Sequence, residues 1–159
     1  MNLYLLIFIF LAILVVIVFA TWMYLSNRKA RLKNILKNKF YGLSERNDLY
    51  LNKSQTLNGN MIGIDRRKLK ILFLNRNDGA EEVIVLDLRN VVECGVQNEI
   101  NPTNGFIKNI NLRCIMRKHG EIELFPFYKE NFDPLNKKMR LSKKASYWEK
   151  TINLYKNQK

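Results

Sequence analysis

Residues 3–25 form a run of 23 residues without a charged side chain. As an α-helix rising 1.5 Å per residue, the run reaches about 35 Å, more than the roughly 30 Å of a bilayer's hydrocarbon core. Residues 5–20 are almost wholly Leu, Ile, Val, Phe and Ala, with Tyr4 at one end and Trp22 and Tyr24 at the other. Amphipathic rings at both ends suit two headgroup interfaces. The run therefore predicts a transmembrane helix over 3–25. The rival reading is a cleaved signal peptide, with Val18-Phe19-Ala20 as its small-residue site. Against it, no Lys or Arg precedes the run, and the run is longer than an ordinary signal-peptide core. An uncleaved anchor is the expectation.

Charge sets the expected orientation. Residues 26–39 carry Arg28, Lys29, Arg31, Lys33, Lys37 and Lys39 and no acid, while residues 1–2 carry no charged side chain. The positive-inside rule then predicts a single-pass protein of the inner or plasma membrane, with the N-terminus outside and the C-terminal domain cytoplasmic. In that compartment Cys94 and Cys114 are expected as reduced thiols. The net charge of +13 is uneven. Residues 40–136 hold 13 basic and 13 acidic side chains, and residues 137–159 hold eight basic ones against Glu149. A sequence pI near 9.9 raises nucleic acid as a partner. A basic stretch beside a membrane also serves an anionic leaflet, at about 1 kcal/mol per Lys or Arg. For any single lysine, a solvated face is the simpler reading.

After the anchor, residues 26–40 read as a basic juxtamembrane helix, uninterrupted until Gly42. Short strands follow: 49–51, 61–64, 69–74, 83–86, 91–96, 110–117 and 122–124. Ile110, Leu112, Cys114 and Met116 alternate with polar neighbours, and Val92, Cys94 and Val96 are placed on one face. Asn58-Gly59, Asp78-Gly79, Asn104-Gly105 and His119-Gly120 mark turns, and the last marks a hairpin. Pro126 removes a ladder donor, which ends its strand or puts it at an edge. The last element is a helix with Asp133 as N-cap and Pro134 as first helical residue. Its apolar stripe is Leu141, Ala145, Trp148, Ile152 and Tyr155, with lysines opposite, including Lys143 and Lys144.

Seven short strands and one amphipathic C-terminal helix resemble the pleckstrin-homology superfold. The wording is similar to small bacterial members: Ile62-Gly63-Ile64-Asp65 with Lys68-Leu69, Val85-Leu86-Asp87-Leu88 before Val91-Val92-Glu93-Cys94, and Tyr147-Trp148 with Ile152. The resemblance covers residues 48–157. It implies an α+β chain whose mostly antiparallel seven-stranded open barrel is capped by the C-terminal helix. It also implies a binding platform rather than a catalyst, with lipid contacts from basic residues around the first hairpin. Arg66, Arg67, Lys68 and Lys70 occupy a comparable hairpin.

Catalytic chemistry finds little purchase. His119 is the only imidazole and stands in a turn. Both cysteines fall on apolar strand phases, where a thiol behaves as a small buried hydrophobe. There is no G-x-x-x-x-G-K or G-x-G-x-x-G phosphate loop. Asp65, Asp87 and Glu93 read as strand-end residues paired with Arg and Lys. No cofactor, metal or enzymatic activity is expected. The expected function is a membrane-anchored, cytoplasmic binding module for a protein partner or the anionic leaflet. Its candidate contacts are Arg28, Lys29, Arg31, Lys33, Lys37, Lys39, Arg66, Arg67 and Lys68. The alternative is a membrane-tethered nucleic-acid-binding protein.

Overall fold

In a computed structural model, residues 3–76, 81–117, 120, 122–131 and 133–158 are described. The first element, α1, spans Leu3–Arg46. Its apolar stretch is long enough to cross a membrane by length and composition, and the described side chains of residues 7–25 are exposed. The helix runs through Gly42 to Arg46, six residues beyond the expected end at 40. Gly costs about 1 kcal/mol in a helix interior, which burial of the neighbouring Phe40 and Ser44 can offset. The helix stops at Asp48, whose φ of 53° lies in the left-handed region, with Leu49 N–H donating to Ser44 O at 2.8 Å.

By its own contacts the chain divides into Met1–Lys39 and Phe40–Lys159. The second unit holds seven antiparallel strands: β1 (Lys53–Leu57), β2 (Asn60–Asp65), β3 (Lys70–Asn75), β4 (Glu82–Asp87), β5 (Val91–Ile100), β6 (Ile107–Met116) and β7 (Ile122–Lys129). They form two sheets, β1-β2-β3-β4 and β5-β6-β7, rather than one barrel. Residues 49–51, expected as a strand, form a loop instead. The loop's Tyr50 N–H donates to the Asp65 carboxylate, not to a sheet ladder. Asn58-Gly59 makes the two-residue β1–β2 turn with both φ angles positive, at 38° and 106°. Gly105, with φ 70°, closes the loop between β5 and β6. Asp78-Gly79 and His119 lie outside the described residues.

The two sheets bury one shared core. Ile62, Ile64, Ile71 and Phe73 from the first meet Ile110, Leu112, Cys114, Phe125 and Phe127 from the second. The Phe73 and Phe125 rings meet edge to face at 5.0 Å between centroids. On β5 Cys94 is buried in the core and Val96 packs against it, as expected, but Val92 leaves that face. A bulge between Val91 and Glu93 adds an unpaired residue, so Val91 and Cys94 turn inward and Val92 is 51% exposed. Pro126 sits on β7, an edge strand, as expected. The strand continues past it because the ladder slips between Ile110 and Asn111, directly opposite.

β2 is buried along its whole length. Ile62 and Ile64 face the shared core. Gly63 faces the other way, where a Cβ would lie 3.0 Å from Leu51 Cδ1 and 3.1 Å from two ring carbons of Phe40. The missing side chain is what lets the end of α1 lie against the sheet.

The C-terminal helix, α2, spans Lys138–Tyr155. It begins later than expected. Pro134 instead opens a short 3-10 turn over Leu135–Lys137. The Asp133 carboxylate accepts from Lys129 N–H and from the Asn58 amide instead of capping a helix. Leu141, Ala145, Trp148 and Ile152 are fully buried in the core, and Tyr155 packs against it. Trp148 Nε1–H donates to Gln55 Oε1 on β1 at 2.9 Å. Lys144 Nζ donates to Thr56 O, so this lysine, expected on the solvated face, tends the β1 edge. On the other flank Asn153 and Lys156 donate to the carbonyls of Cys94 and Val92 on the β5 edge. One helix thus bonds to one edge strand of each sheet, β1 and β5.

Two outcomes follow for the full-length protein in detergent micelles. Trp148→Ala should cost about 3–5 kcal/mol in denaturant unfolding, while the exposed Lys143→Ala stays within about 0.5 kcal/mol. Gly63→Ala should cost about 1–3 kcal/mol, since Leu51 can turn aside but the buried Phe40 ring cannot.

A candidate basic and aromatic site at the second hairpin

The β2–β3 turn carries Arg66-Arg67-Lys68-Leu69, and its shape is set by Asp65. That carboxylate is only 1% exposed. Its Oδ1 accepts from Arg67 N–H at 2.9 Å and Lys68 N–H at 3.0 Å, and its Oδ2 accepts from Tyr50 N–H at 2.8 Å. Asn52 Oδ1 takes the remaining Arg66 N–H at 2.7 Å. Leu69 adopts a left-handed φ of 54°, and its carbonyl accepts from Leu88 N–H. The backbone is consumed by these bonds, and the Arg66, Arg67 and Lys68 side chains are left exposed.

Burial alone raises the Asp65 pKa, but the N–H groups of Lys68, Tyr50 and Arg67 outweigh it, so the net shift is downward. Asp87 is lowered too, chiefly by the Arg89 guanidinium that it accepts in two bonds.

The three basic side chains diverge. Lys68 pairs with the Asp48 carboxylate. Such an exposed pair contributes at most about 1 kcal/mol. Arg67 lies over the Tyr50 ring, 5.7 Å from its centroid. Arg66 points to α2 and lies 5.4 Å from the centroid of Tyr155. Lys70, grouped with them in sequence, stands across from Asp65 and Asp87 in the ladder. The hairpin is the second of the sheet. It lies at the end opposite the β1–β2 turn, so the first-hairpin lipid contacts implied by the resemblance do not carry over to these residues.

Two elements remote in sequence complete the surface. Lys53, the first residue of β1, donates to the Tyr147 hydroxyl and sits 4.2 Å from that ring's centroid. Tyr147 is 37% exposed at the surface of α2. Its phenol is easier to ionise than usual, chiefly through the Lys53 hydrogen bond. Lys53, Tyr147 and Tyr155 were not legible as site residues. Their only signal is that Tyr147 and Tyr155 stand eight residues apart, a little over two helical turns.

The basic residues after the apolar stretch lie on α1, and Arg28, Arg31, Lys33, Lys37 and Lys39 are exposed. At about 100° per residue, Arg28 and Lys39 project within roughly 20° of each other, while Arg31 and Lys33 are about 160° apart. They ring the helix and make no single face. Lys29 lies on the same helix.

Cys94 and Cys114 are direct cross-strand partners, with Sγ atoms 2.9 Å apart in the core. The hydrogen bond from Cys114 and burial push the Cys94 thiol far up, the opposite of an activated nucleophile. On the outer face of β5 and β6, an open groove is lined by Glu93, Gln97, Arg113 and Ile115. Among the described residues no three His, Cys, Asp or Glu side chains converge as metal ligands. Compared with protein-family models, curated proteins and solved structures, the chain matches none.

Asp65→Asn should cost about 1–3 kcal/mol, because the amide cannot accept as the carboxylate does. The sign with pH is set by the lowered pKa. The unfolded chain binds the proton more tightly, so the contribution is complete above about pH 5 and is lost as pH falls below 4. Urea unfolding from pH 7 to 3 should show a shallower acid loss for Asp65→Asn than for the parent.

Proposed function

We propose that this chain is a membrane-anchored, non-catalytic binding module whose second unit faces the cytoplasm. The observation that carries the proposal is the composition of α1: an exposed apolar stretch long enough to cross a membrane, followed at once by exposed basic residues. That order favours retention of the basic side in the cytoplasm. We read the second unit as pleckstrin-homology-like. The supporting pattern is four antiparallel strands, then three, then one helix across their edges. Such a unit presents loops and side-chain surfaces from a rigid frame, the usual arrangement of a binding platform. The basic ring on α1 suits contact with an anionic leaflet, and the second-hairpin surface is free to meet a further ligand.

Topology is the direct test. Asn157→Cys places an exposed thiol near the C-terminus, and the two native thiols are buried. In intact cells an impermeant maleimide should leave the variant unlabelled, and permeabilisation should expose it. Labelling before permeabilisation overturns the cytoplasmic assignment.

A further inference from the structure

We propose that the open groove on the outer face of β5 and β6 binds a free aliphatic α-amino acid in its zwitterionic form. The groove has a volume of about 300 Å³ and is lined by Glu93, Gly95, Val96, Gln97, Arg113 and Ile115. That is the small end of the range for ligand pockets, about 300 to 1,000 Å³. Its floor holds a glycine that the fold does not require. Gly95 sits inside the 10-residue β5, where glycine weakens a strand. Its backbone does not enter the left-handed region. The ladder is regular there, with Cys94 opposite Cys114, Gly95 opposite Arg113 and Val96 opposite Leu112, so no bulge calls for it. No neighbour crowds it either. Among the described residues, a Cβ at this position would meet only Glu149 Oε1, at 3.9 Å. At Gly63 the missing side chain admits Phe40, whereas at Gly95 it leaves space in the groove. Close approach of a ligand to the backbone is the remaining use of such a residue.

The charges around that space are unpaired. Arg113, directly opposite Gly95, is half-buried. Glu93 stands diagonally across the ladder from it, a separation of about 7–8 Å in such sheets. Glu149, the only acid of residues 137–159, reaches over Gly95 from α2. Among the described residues none of these three makes an ion pair or a side-chain hydrogen bond. A simple anion would suit Arg113 but face two carboxylates, and a simple cation would face Arg113. A zwitterion satisfies both signs. Its carboxylate accepts paired N–H bonds from the guanidinium, and its ammonium donates to Glu93 and Glu149. Gln97 adds an amide that donates or accepts. An aliphatic side chain then has Ile115 beside it. On the next strand Ile122 lies opposite Ile115 and Leu124 opposite Arg113, and both are exposed. The inference rests on the binding-module reading but not on the sidedness of the membrane, so maleimide labelling and the titration below fail independently.

The test uses the full-length protein in a neutral detergent, titrated calorimetrically with L-leucine, L-isoleucine and L-valine. Glycine, isocaproate and isoamylamine are the comparisons, which lack the side chain, the ammonium and the carboxylate of leucine in turn. At least one of the three amino acids should bind, and each comparison should be tenfold weaker or worse. Arg113→Gln should weaken binding tenfold or more, and Glu149→Gln about fivefold. Gly95→Ala places one methyl on the floor of the groove and should weaken binding at least fivefold. That methyl has room, so this variant tests the site even where Arg113→Gln is unstable, and unchanged thermal unfolding checks that it folds. Lys143→Ala should stay within twofold. The proposal is overturned if none of the three amino acids binds, if isocaproate or isoamylamine binds as tightly, or if Gly95→Ala leaves affinity unchanged. Isocaproate binding more tightly than leucine overturns it in favour of a simple carboxylate.

Discussion

Burial of Trp148 is the contact on which the second unit most depends. Two sheets of four and three strands leave β1 and β5 among their four edge strands, and an unpaired edge exposes donors and acceptors that must be satisfied or shielded. α2 meets both demands with one apolar stripe and its two flanks. The indole fills the core while its N–H reaches Gln55, and Lys144, Asn153 and Lys156 take carbonyls from the two edges. Removing the indole would empty the core and loosen the helix that holds both edges. The same helix carries Tyr147 and Tyr155, so the packing that closes the fold also positions the candidate site.

A second dependence runs through Asp65. A single buried carboxylate organises the β2–β3 turn and draws the loop at Tyr50 onto it. It is a structural acid, ionised because backbone N–H groups surround it. Its consequence for function is indirect. By occupying the turn's backbone donors it leaves the arginine side chains as the exposed part of the turn. Opposite, Gly63 admits Phe40 from α1 and completes the cover of β2. The two faces of one strand are thus buried for different reasons, one by the shared core and one by the chain that precedes the sheet.

Local patterns were readable where local physics decides. The alternation of Ile110, Leu112 and Cys114, the Asn58-Gly59 turn and the stripe from Leu141 to Ile152 all stand as the spacing implied. The failures share a cause. Val92 turned outward because a bulge shifts the phase by one residue, and a bulge answers to the partner strand. Asp133 serves the nearby Lys129 N–H and the Asn58 amide instead of a helix end, and Asn58 is brought to it only by the fold. Residues 49–51 have strand composition but no strand partner, and Asp65 supplies another acceptor.

By itself the sequence determined the apolar span and the basic residues behind it. Both depend on composition within one segment, and a helix needs no distant partner to satisfy its backbone. It also determined the number of strands after the first and the amphipathic face of the last helix, through periods of two and 3.6. Only the tertiary structure decided the division into two sheets, the pairing of Cys94 with Cys114 and the meeting of Lys53 with Tyr147 and of Arg66 with Tyr155. The partners in those two contacts are separated by 94 and 89 positions along the chain. No periodicity reaches so far, and their meeting follows from α2 crossing the open edge of β1 beside the second hairpin.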